Sequence, residues 1–385
     1  MERPSNSDQD PASHPMIKAA ANFAANYIAP NAAAWEENRA LPTDGVHAAA
    51  EAGLCGMLLS TDLGGGGLSK TAMAHVMEEL AKADMAYAFA MSVHNNFMNA
   101  IATAGTPAQR ERYLPAMLSG DCLGAFLLTE PQGGSDAANM TTTARRDNDG
   151  WVINGAKAWV SNAATAGLLS VYAQTDAAKG WRGIATFLIE AEQPGVIREA
   201  TYSMMGAHVL GVGGFRFEDV RVADDAVLLP PGEGFKGAMA GIDLARANVA
   251  AMCCGIMANS LDVALAYCAG RQAFGQRLAD FQGLQWQLAD VATDLHASRL
   301  MAYDAIAVID AGGPAAIPAA HAKKFATRAA QKGVAECMQA MGANGYKHEY
   351  PLARHLACAK MANYIDGTTE IQNVVISRDL LRPYD

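Results

Sequence analysis

Apolar residues change their spacing twice along this chain. From Pro15 to about Gly120 they recur every three to four positions, through Ala- and Met-rich segments such as MIKAAANFAANYIAP and TAMAHVMEELAKADMAYAFAMSVHNNFMNAIATA. That is the period of helices that bury one face. Four glycines, Gly64 to Gly67, break the first helices from the next. From about Cys122 to about Pro231 short β-rich runs take over: LGAFLLT, GWVINGAKAWVSN, GLLSVYAQT, GIATFLIE and GGFRFEDVRV, separated by turn residues. Asn154-Gly155 lies between two alternating runs and predicts a hairpin turn, with NGAKAWVSN as the return strand. From about Gly234 the helical period returns, in IDLARANVAAMCCGIMANSLDVALAYCAG, in FQGLQWQLADVATDLHASRLMAYDAIAVID, and in segments near Ala319 to Met341 and Tyr350 to Tyr364.

The pattern predicts an α+β protein, mostly α. Its parts are a disordered N-terminus (1–14), an N-terminal α-helical domain (15–121), a middle antiparallel β-sheet domain (122–232) and a C-terminal four-helix bundle domain (233–385). Where the layers meet is a natural place for a cofactor cleft.

Composition narrows the choice. Hydrophobic residues make up 51% and charged residues 18%, the balance of a soluble globular chain. A net charge of −10 argues against general nucleic-acid binding. The seven cysteines are odd in number and form no CxxC pair, so neither a metal site nor a disulfide framework is expected, and a reducing compartment fits better. The first fourteen residues lack the apolar stretch of a signal peptide and the basic, acid-poor look of a presequence. No apolar run reads as long enough to span a bilayer. A cytoplasmic address is expected.

Four constellations carry candidate chemistry. TEPQGGSD, Thr129 to Asp136, ends a strand with glycines that admit close backbone approach and amides that can hold phosphate oxygens; an ordinary Gly-Ser turn reads the same way. In NGAKAWVSN, alternation puts Trp159 and Ser161 on one face, suited to a flat ring; the alternative is a core Trp beside a surface Ser. Arg271 follows a long helix and Gln282 opens the next, a place for a guanidinium to grip a pyrophosphate or for a solvated turn. At the C-terminal end, Gly342 and Gly345 close one helix, and Asp366-Gly367-Thr368-Thr369-Glu370 breaks another where a carboxylate can project into a cleft or simply finish a turn.

In order and spacing these four motifs closely resemble the acyl-CoA dehydrogenase family, over essentially the whole chain from about Pro15 to Arg382. The resemblance implies FAD and the conversion of an acyl-CoA to a trans-2-enoyl-CoA, by loss of the α proton to a base and of the β hydrogen as hydride to flavin N5. It implies that Leu128 and Thr129 meet the pyrimidine edge of the flavin and that Gly134 and Ser135 lie near the pyrophosphate. Trp159 flanks the ring, and Ser161 bonds near N5. Arg271, Gln282, Gln339 and Gly342 match positions that hold the FAD of a neighbouring subunit, and Thr368 and Glu370 match positions on the adenylate side. Substrate contacts fall to Ser135, Asp243, Arg246 and Gly367; Asp243 and Arg246 lie three apart on one helix face, where a surface ion pair is the alternative. The implied partners are an acyl-CoA or acyl-carrier-protein thioester, an electron-transferring flavoprotein or similar acceptor, and three further copies of the chain in a homotetramer.

The chain departs from the family pattern at the base. A Glu usually precedes Gly-Thr in the last motif, and here Asp366 stands there. Some members place a Glu just before the CoA-contacting Arg, and here that residue is Ala245, so the resemblance assigns the base to Asp366. Nitroalkane oxidases of the same superfamily use an Asp, but usually keep an Arg seven residues on, where this chain has Asn373. A flavin oxidase or a lyase on the same scaffold, or a non-catalytic flavoprotein, are the other readings. Ala273, Ala343 and Cys358 are smaller departures. His94, in MSVHNNF, falls where the family lines its acyl pocket, although a His in an apolar helix is more often a core residue.

Overall fold

A computed structural model describes residues 13–39, 41–148 and 150–384. Of the expected disordered end at 1–14, only Ser13 and His14 lie among them. His14 Nδ1 accepts the amide of Met16 at 3.2 Å and caps the first helix.

The N-terminal helices are α1 (Pro15–Phe23), continued through a π-helical turn into α2 (Ala29–Asn38), then α3 (Thr43–Glu51), α4 (Lys70–Ala83), α5 (Met85–Ala104) and α6 (Pro107–Leu118). Ser69, Asp84 and Thr106 each cap a following helix with a side-chain oxygen, which places the breaks where the sequence changes.

The sheet comprises β1 (Gly124–Leu127), β2 (Thr143–Asp147), β3 (Gly150–Val160), β4 (Leu168–Gln174), β5 (Ile184–Glu190), β6 (Val196–Arg198), β7 (Gly213–Ala223) and β8 (Val227–Leu229). Its order is β6-β7-β3-β2-β4-β5-β8, with β1 also on β4. Most pairings are antiparallel, as expected, but β1 and the start of β2 run parallel to β4.

The hairpin expected at Asn154-Gly155 is not there. The reversal falls after Asp147, which pairs with Gly150, and Asn154-Gly155 sits inside the single long strand β3. The dipeptide instead makes a register shift against β7: Asn154 Nδ2 donates to Asp219 Oδ1 at 3.0 Å, and Asn154 Oδ1 accepts the Asp219 backbone amide at 2.9 Å. Gly155 has φ 146°, and a Cβ there would lie 2.6 Å from Thr142 Cα, so the glycine serves close backbone approach rather than a turn.

The C-terminal helices are α7 (Gly234–Gly270), α8 (Gln282–Asp310), α9 (Ala316–Ala340), α10 (Leu352–Met361) and α11 (Thr369–Leu381); a two-strand ribbon, β9 (Gln272–Ala273) with β10 (Gln276–Arg277), links α7 to α8. Only the first three are long, and α10 and α11 both lie on α9. The view that no apolar run is long enough to span a bilayer needs correction. α7 holds an 18-residue window of mean hydropathy 1.7, but 72% of that window is buried inside the protein. Every residue from Arg246 to Ala258 is buried, because α4 and α5 cover one side of the helix and α8 and α9 the other.

Two buried contacts hold the layers in place. Gly255 on α7 meets the backbone of α4, where a Cβ would fall 2.3 Å from Glu78 O. Within the sheet, Lys157 of β3 donates to Leu128 O at 3.0 Å and to Glu130 Oε1 at 2.9 Å, with both side chains sealed from water. Burial raises the Glu130 carboxyl, but Lys157 and the donors of Thr141 and Thr142 outweigh it and hold it down to about 2. Burial pushes the Lys157 ammonium down to about 8, so the pair is ionised at neutral pH.

Two outcomes follow for stability. Gly255→Ala should cost about 1–3 kcal/mol by forcing α4 and α7 apart, read as a fall in thermal midpoint. Lys157→Met should leave Glu130 charged and unpaired, costing about 3 kcal/mol in denaturant unfolding; an unchanged midpoint would show that Thr141 and Thr142 suffice to hold the carboxylate.

Candidate active site

The end of β1 and the start of α7 meet first through apolar packing. Leu128, Met140, Tyr172 and Ile184 cluster with Ala238, Met239 and Ile242 on the first turns of α7. One turn further along, Arg246 reaches the bend between α10 and α11. Its Nε donates to Asp366 O at 3.0 Å and its Nη1 to Asp243 Oδ1 at 2.9 Å. Arg246 is only 8% exposed, so the Asp243–Arg246 pair is not a solvated surface pair. Arg246, held by Asp243, braces the Asp366 loop, a contact their spacing did not show.

Asp366 and Gly367 adopt left-handed backbone, φ 51° and 90°. Asp tolerates this conformation better than most non-glycine residues, but it still costs about 1 kcal/mol or more unless its surroundings favour it. Here they do: Lys323 Nζ donates to Gly367 O at 2.6 Å and Gln372 Nε2 donates to the same oxygen at 2.8 Å. A Cβ at position 367 would lie 3.2 Å from both Arg246 Nη2 and Gln372 Nε2, so only glycine fits comfortably. The Asp366 side chain is half-buried, and its Oδ2 is enclosed without a hydrogen-bond partner. Burial raises this carboxyl to about 6, against the pull of Lys323 and then Arg246. A carboxylate of that acidity with one unengaged oxygen has the properties of a general base.

At the sheet side, Gly134 follows the loop so closely that a Cβ there would lie 3.2 Å from Thr129 Cγ2. Gly134 and Ser135 are exposed, and among the described residues their amides donate no hydrogen bond. The Leu128 carbonyl is occupied by Lys157, so a ligand contact there falls to the amide. Trp159 has φ 56° at a second register shift of β3, which turns its indole outward, 63% exposed, against the edge of Tyr202 at 4.9 Å. The strand ends at Val160, and Ser161 follows it half-buried. Simple alternation therefore does not describe this stretch; a bulge presents the Trp.

These features fit a flavin dinucleotide: an open aromatic face beside a glycine turn with free amides. Thr368 uses its hydroxyl to cap α11, and Glu370 stands exposed in the first turn of that helix. Arg271, Gln282, Gln339 and Gly342 are not part of this cluster. All four are exposed at the far end of the bundle, where the Asn344–Tyr267 hydrogen bond of 2.7 Å ties the segment after α9 to the end of α7. Arg271 caps the end of α7, twenty-five positions beyond Arg246, or about 37 Å along the helix.

His94 is a core residue. It is fully buried, with Nε2 at 3.0 Å from Met117 O and Nδ1 accepting the Gly124 amide at 3.1 Å, and burial pushes its pKa down to about 4. It has no ring nitrogen left for a substrate. The sequence reading missed Glu130, Lys157, Lys323 and Gln372. For Lys323 a signal existed: it shares an α9 stripe with Ala319, Ala326, Ala330 and Val334, all buried.

Comparison with known proteins places the chain in a family. Family models match in chain order: acyl-CoA dehydrogenase N-terminal domain at residues 11–121, middle domain at 125–220 and C-terminal domain at 232–381. The mitochondrial short-chain specific acyl-CoA dehydrogenase of Bos taurus is 35% identical over 376 residues, covering 97% of this chain and 91% of that protein. The butyryl-CoA dehydrogenase of Megasphaera elsdenii superposes with a TM-score of 0.93 at 32% identity, covering 98% of this chain and all of that one. A glutaryl-CoA dehydrogenase of Mycobacterium smegmatis, solved in complex with FADH2, gives 0.91 at 28% identity, covering 97% and 95%. The chain belongs to the acyl-CoA dehydrogenase family of FAD-dependent oxidoreductases.

Proposed function

We propose that this chain dehydrogenates a short acyl-CoA, with Asp366 as the base that removes the α proton. One observation carries the assignment: Asp366 Oδ2 is enclosed and unpartnered at a bend held by three donors. Position 245 holds an alanine, so the alternative site on α7 offers no carboxylate. The names of the short-chain and butyryl-CoA relatives support a small acyl group. When bound, FAD supplies the acceptor for the β hydrogen.

The protein's own part is to place and to tune. Arg246 and Lys323 favour the ionised form of Asp366 while burial opposes it, which leaves the carboxyl near the acidity of a working base. The carbonyls of Asp366 and Gly367 are both taken by side chains. In a planar trans peptide the N–H points opposite its C=O, so the bend presents the amides of Gly367 and Thr368 on the other side. Leu128, Thr129, Gly134, Ser135, Trp159 and Ser161 are the residues that would hold the near part of the cofactor, with Thr368 and Glu370 beside them. Ser135, Asp243, Arg246 and Gly367 would contact substrate.

Arg271, Gln282, Gln339 and Gly342 would serve the FAD of another subunit, since a group about 37 Å down α7 does not reach the bend in its own chain. Phe274 and Trp286 stand beside them, 98% and 63% exposed, as apolar surface for a partner copy. A homotetramer is the assembly proposed, and an electron-transferring flavoprotein the acceptor.

Three outcomes test this reading. Anaerobic butyryl-CoA should bleach the visible band of the FAD-loaded protein, and Asp366→Asn should slow bleaching by about a hundredfold or more; bleaching at the wild-type rate would remove Asp366 as base. Because only the ionised form accepts a proton, the bleaching rate should fall as pH drops through about 6. Arg271→Ala should weaken FAD retention although its own subunit's ring site is intact, and light scattering should report four copies.

A further inference from the structure

Lys323 is the most deeply buried cation at the Asp366 bend, and its effect on the acidity of Asp366 does not by itself explain its place. It lies on α9, two turns from its start, and is 1% exposed. A buried ammonium is expensive and is retained where its charge or its hydrogen bond is needed. Its Nζ does not answer the cost with a tight ion pair; it donates to the Gly367 carbonyl at 2.6 Å. The titratable and charged groups facing it are Asp366 on the bend, Cys253 and Arg246 on α7, and Glu370 on α11. Burial pushes the ammonium down to about 8, while Asp366, Cys253 and Glu370 pull it back up.

Three donors from three elements converge on two successive carbonyls: Arg246 from α7 on Asp366 O, and Lys323 from α9 with Gln372 from α11 on Gly367 O. We propose that Lys323 is a positioning residue for catalysis, which clamps the 366–367 bend and holds the short Asp366 carboxylate where a longer glutamate would otherwise be needed. The proposal rests on Asp366 being the base. An Asp side chain is one methylene shorter than Glu, and an error of about 1 Å at a reacting centre costs about a hundredfold. The left-handed φ of 51° at Asp366 is the backbone's share of the solution, and the clamp is what keeps a non-glycine residue in it. Lys323 is also the first electrostatic influence opposing burial at the Asp366 carboxyl. A purely structural lysine would give up stability when replaced; a positioning lysine must also move the rate and its pH dependence.

The experiment uses the full-length, FAD-loaded protein with butyryl-CoA as probe, followed by anaerobic stopped-flow bleaching across pH 5 to 9. Lys323→Met, Lys323→Arg, Gln372→Leu and Asp366→Asn are compared with wild type. Lys323→Met should slow bleaching by about tenfold or more, with a much smaller change in thioester affinity, and should move the acid limb to higher pH because a cation that favours the carboxylate is gone. Lys323→Arg should recover part of the rate and return the limb toward wild type. Gln372→Leu should slow bleaching and leave the limb in place, since it removes a donor but no charge; this neutral variant decides the clamp if Lys323→Met does not fold. Wild-type bleaching rates in Lys323→Met, or in Gln372→Leu, would overturn the proposal. A wild-type rate in Asp366→Asn would instead overturn the base assignment beneath it, so the two failures are told apart.

Discussion

The burial of α7 on all sides is the constraint from which the rest of the molecule follows. A helix whose middle thirteen residues, Arg246 to Ala258, are all sealed from water needs neighbours around its whole circumference. The N-terminal helices supply one side, α8 and α9 the other, and the sheet meets its first turns through Ile242, Met239 and Leu128. The core of the N-terminal helices is continuous with that of the bundle, from Ala20 through Met257 to Ala362. Gly255 shows how close the fit is, since there is no room for a methyl group between α7 and α4. With α7 fixed, Arg246 is fixed, and through it the bend that carries Asp366.

Two buried lysines do parallel work on the two halves of the site. Lys157 ties the Leu128 carbonyl at the end of β1, and Lys323 ties the Gly367 carbonyl at the bend. Each cation donates to a backbone carbonyl of the candidate site: Leu128 O takes Lys157 alone, and Gly367 O shares Lys323 with Gln372. They differ in how their charge is met. Lys157 has Glu130 at 2.9 Å, itself held by Thr141 and Thr142, so the sheet side is rigid and electrically closed. Lys323 leaves the Asp366 carboxylate unengaged, so the proposed base keeps a free oxygen. That contrast suits the two proposed roles, a strand end that holds a cofactor edge and a carboxylate that accepts a proton.

Under the proposed role of Asp366 as base, a side chain shorter than Glu places the demand on the bend itself. The bend is defined by its backbone: positive φ at 366 and 367, two clamped carbonyls, and a glycine whose missing Cβ lets Arg246 and Gln372 close in. The carboxyl sits near 6 because burial is stronger than the two cations that oppose it. The same opposition makes it sensitive to either cation, which ties acidity and geometry to one set of contacts.

The sequence by itself determined the layer order, since helical and strand periods register local burial and each element is mostly decided within its own ten to thirty residues. It also determined the chemistry-bearing motifs, Thr129 to Asp136, Trp159 and the Asp366 bend, whose residue types and order are distinctive, and through them the family. Tertiary structure alone decided what those motifs touch. Asn154-Gly155 reads as a hairpin turn in isolation, yet Asp219, sixty-five positions on, and Thr142 on the neighbouring segment make it a bulge within one strand. Arg246 looks like half of a surface pair until α10 and α11 fold over it. His94 becomes a core residue because β1 and α6 take both its nitrogens. Lys323 and Lys157 are ordinary helix and strand residues by composition, and only long-range packing buries them against carbonyls that local sequence does not specify.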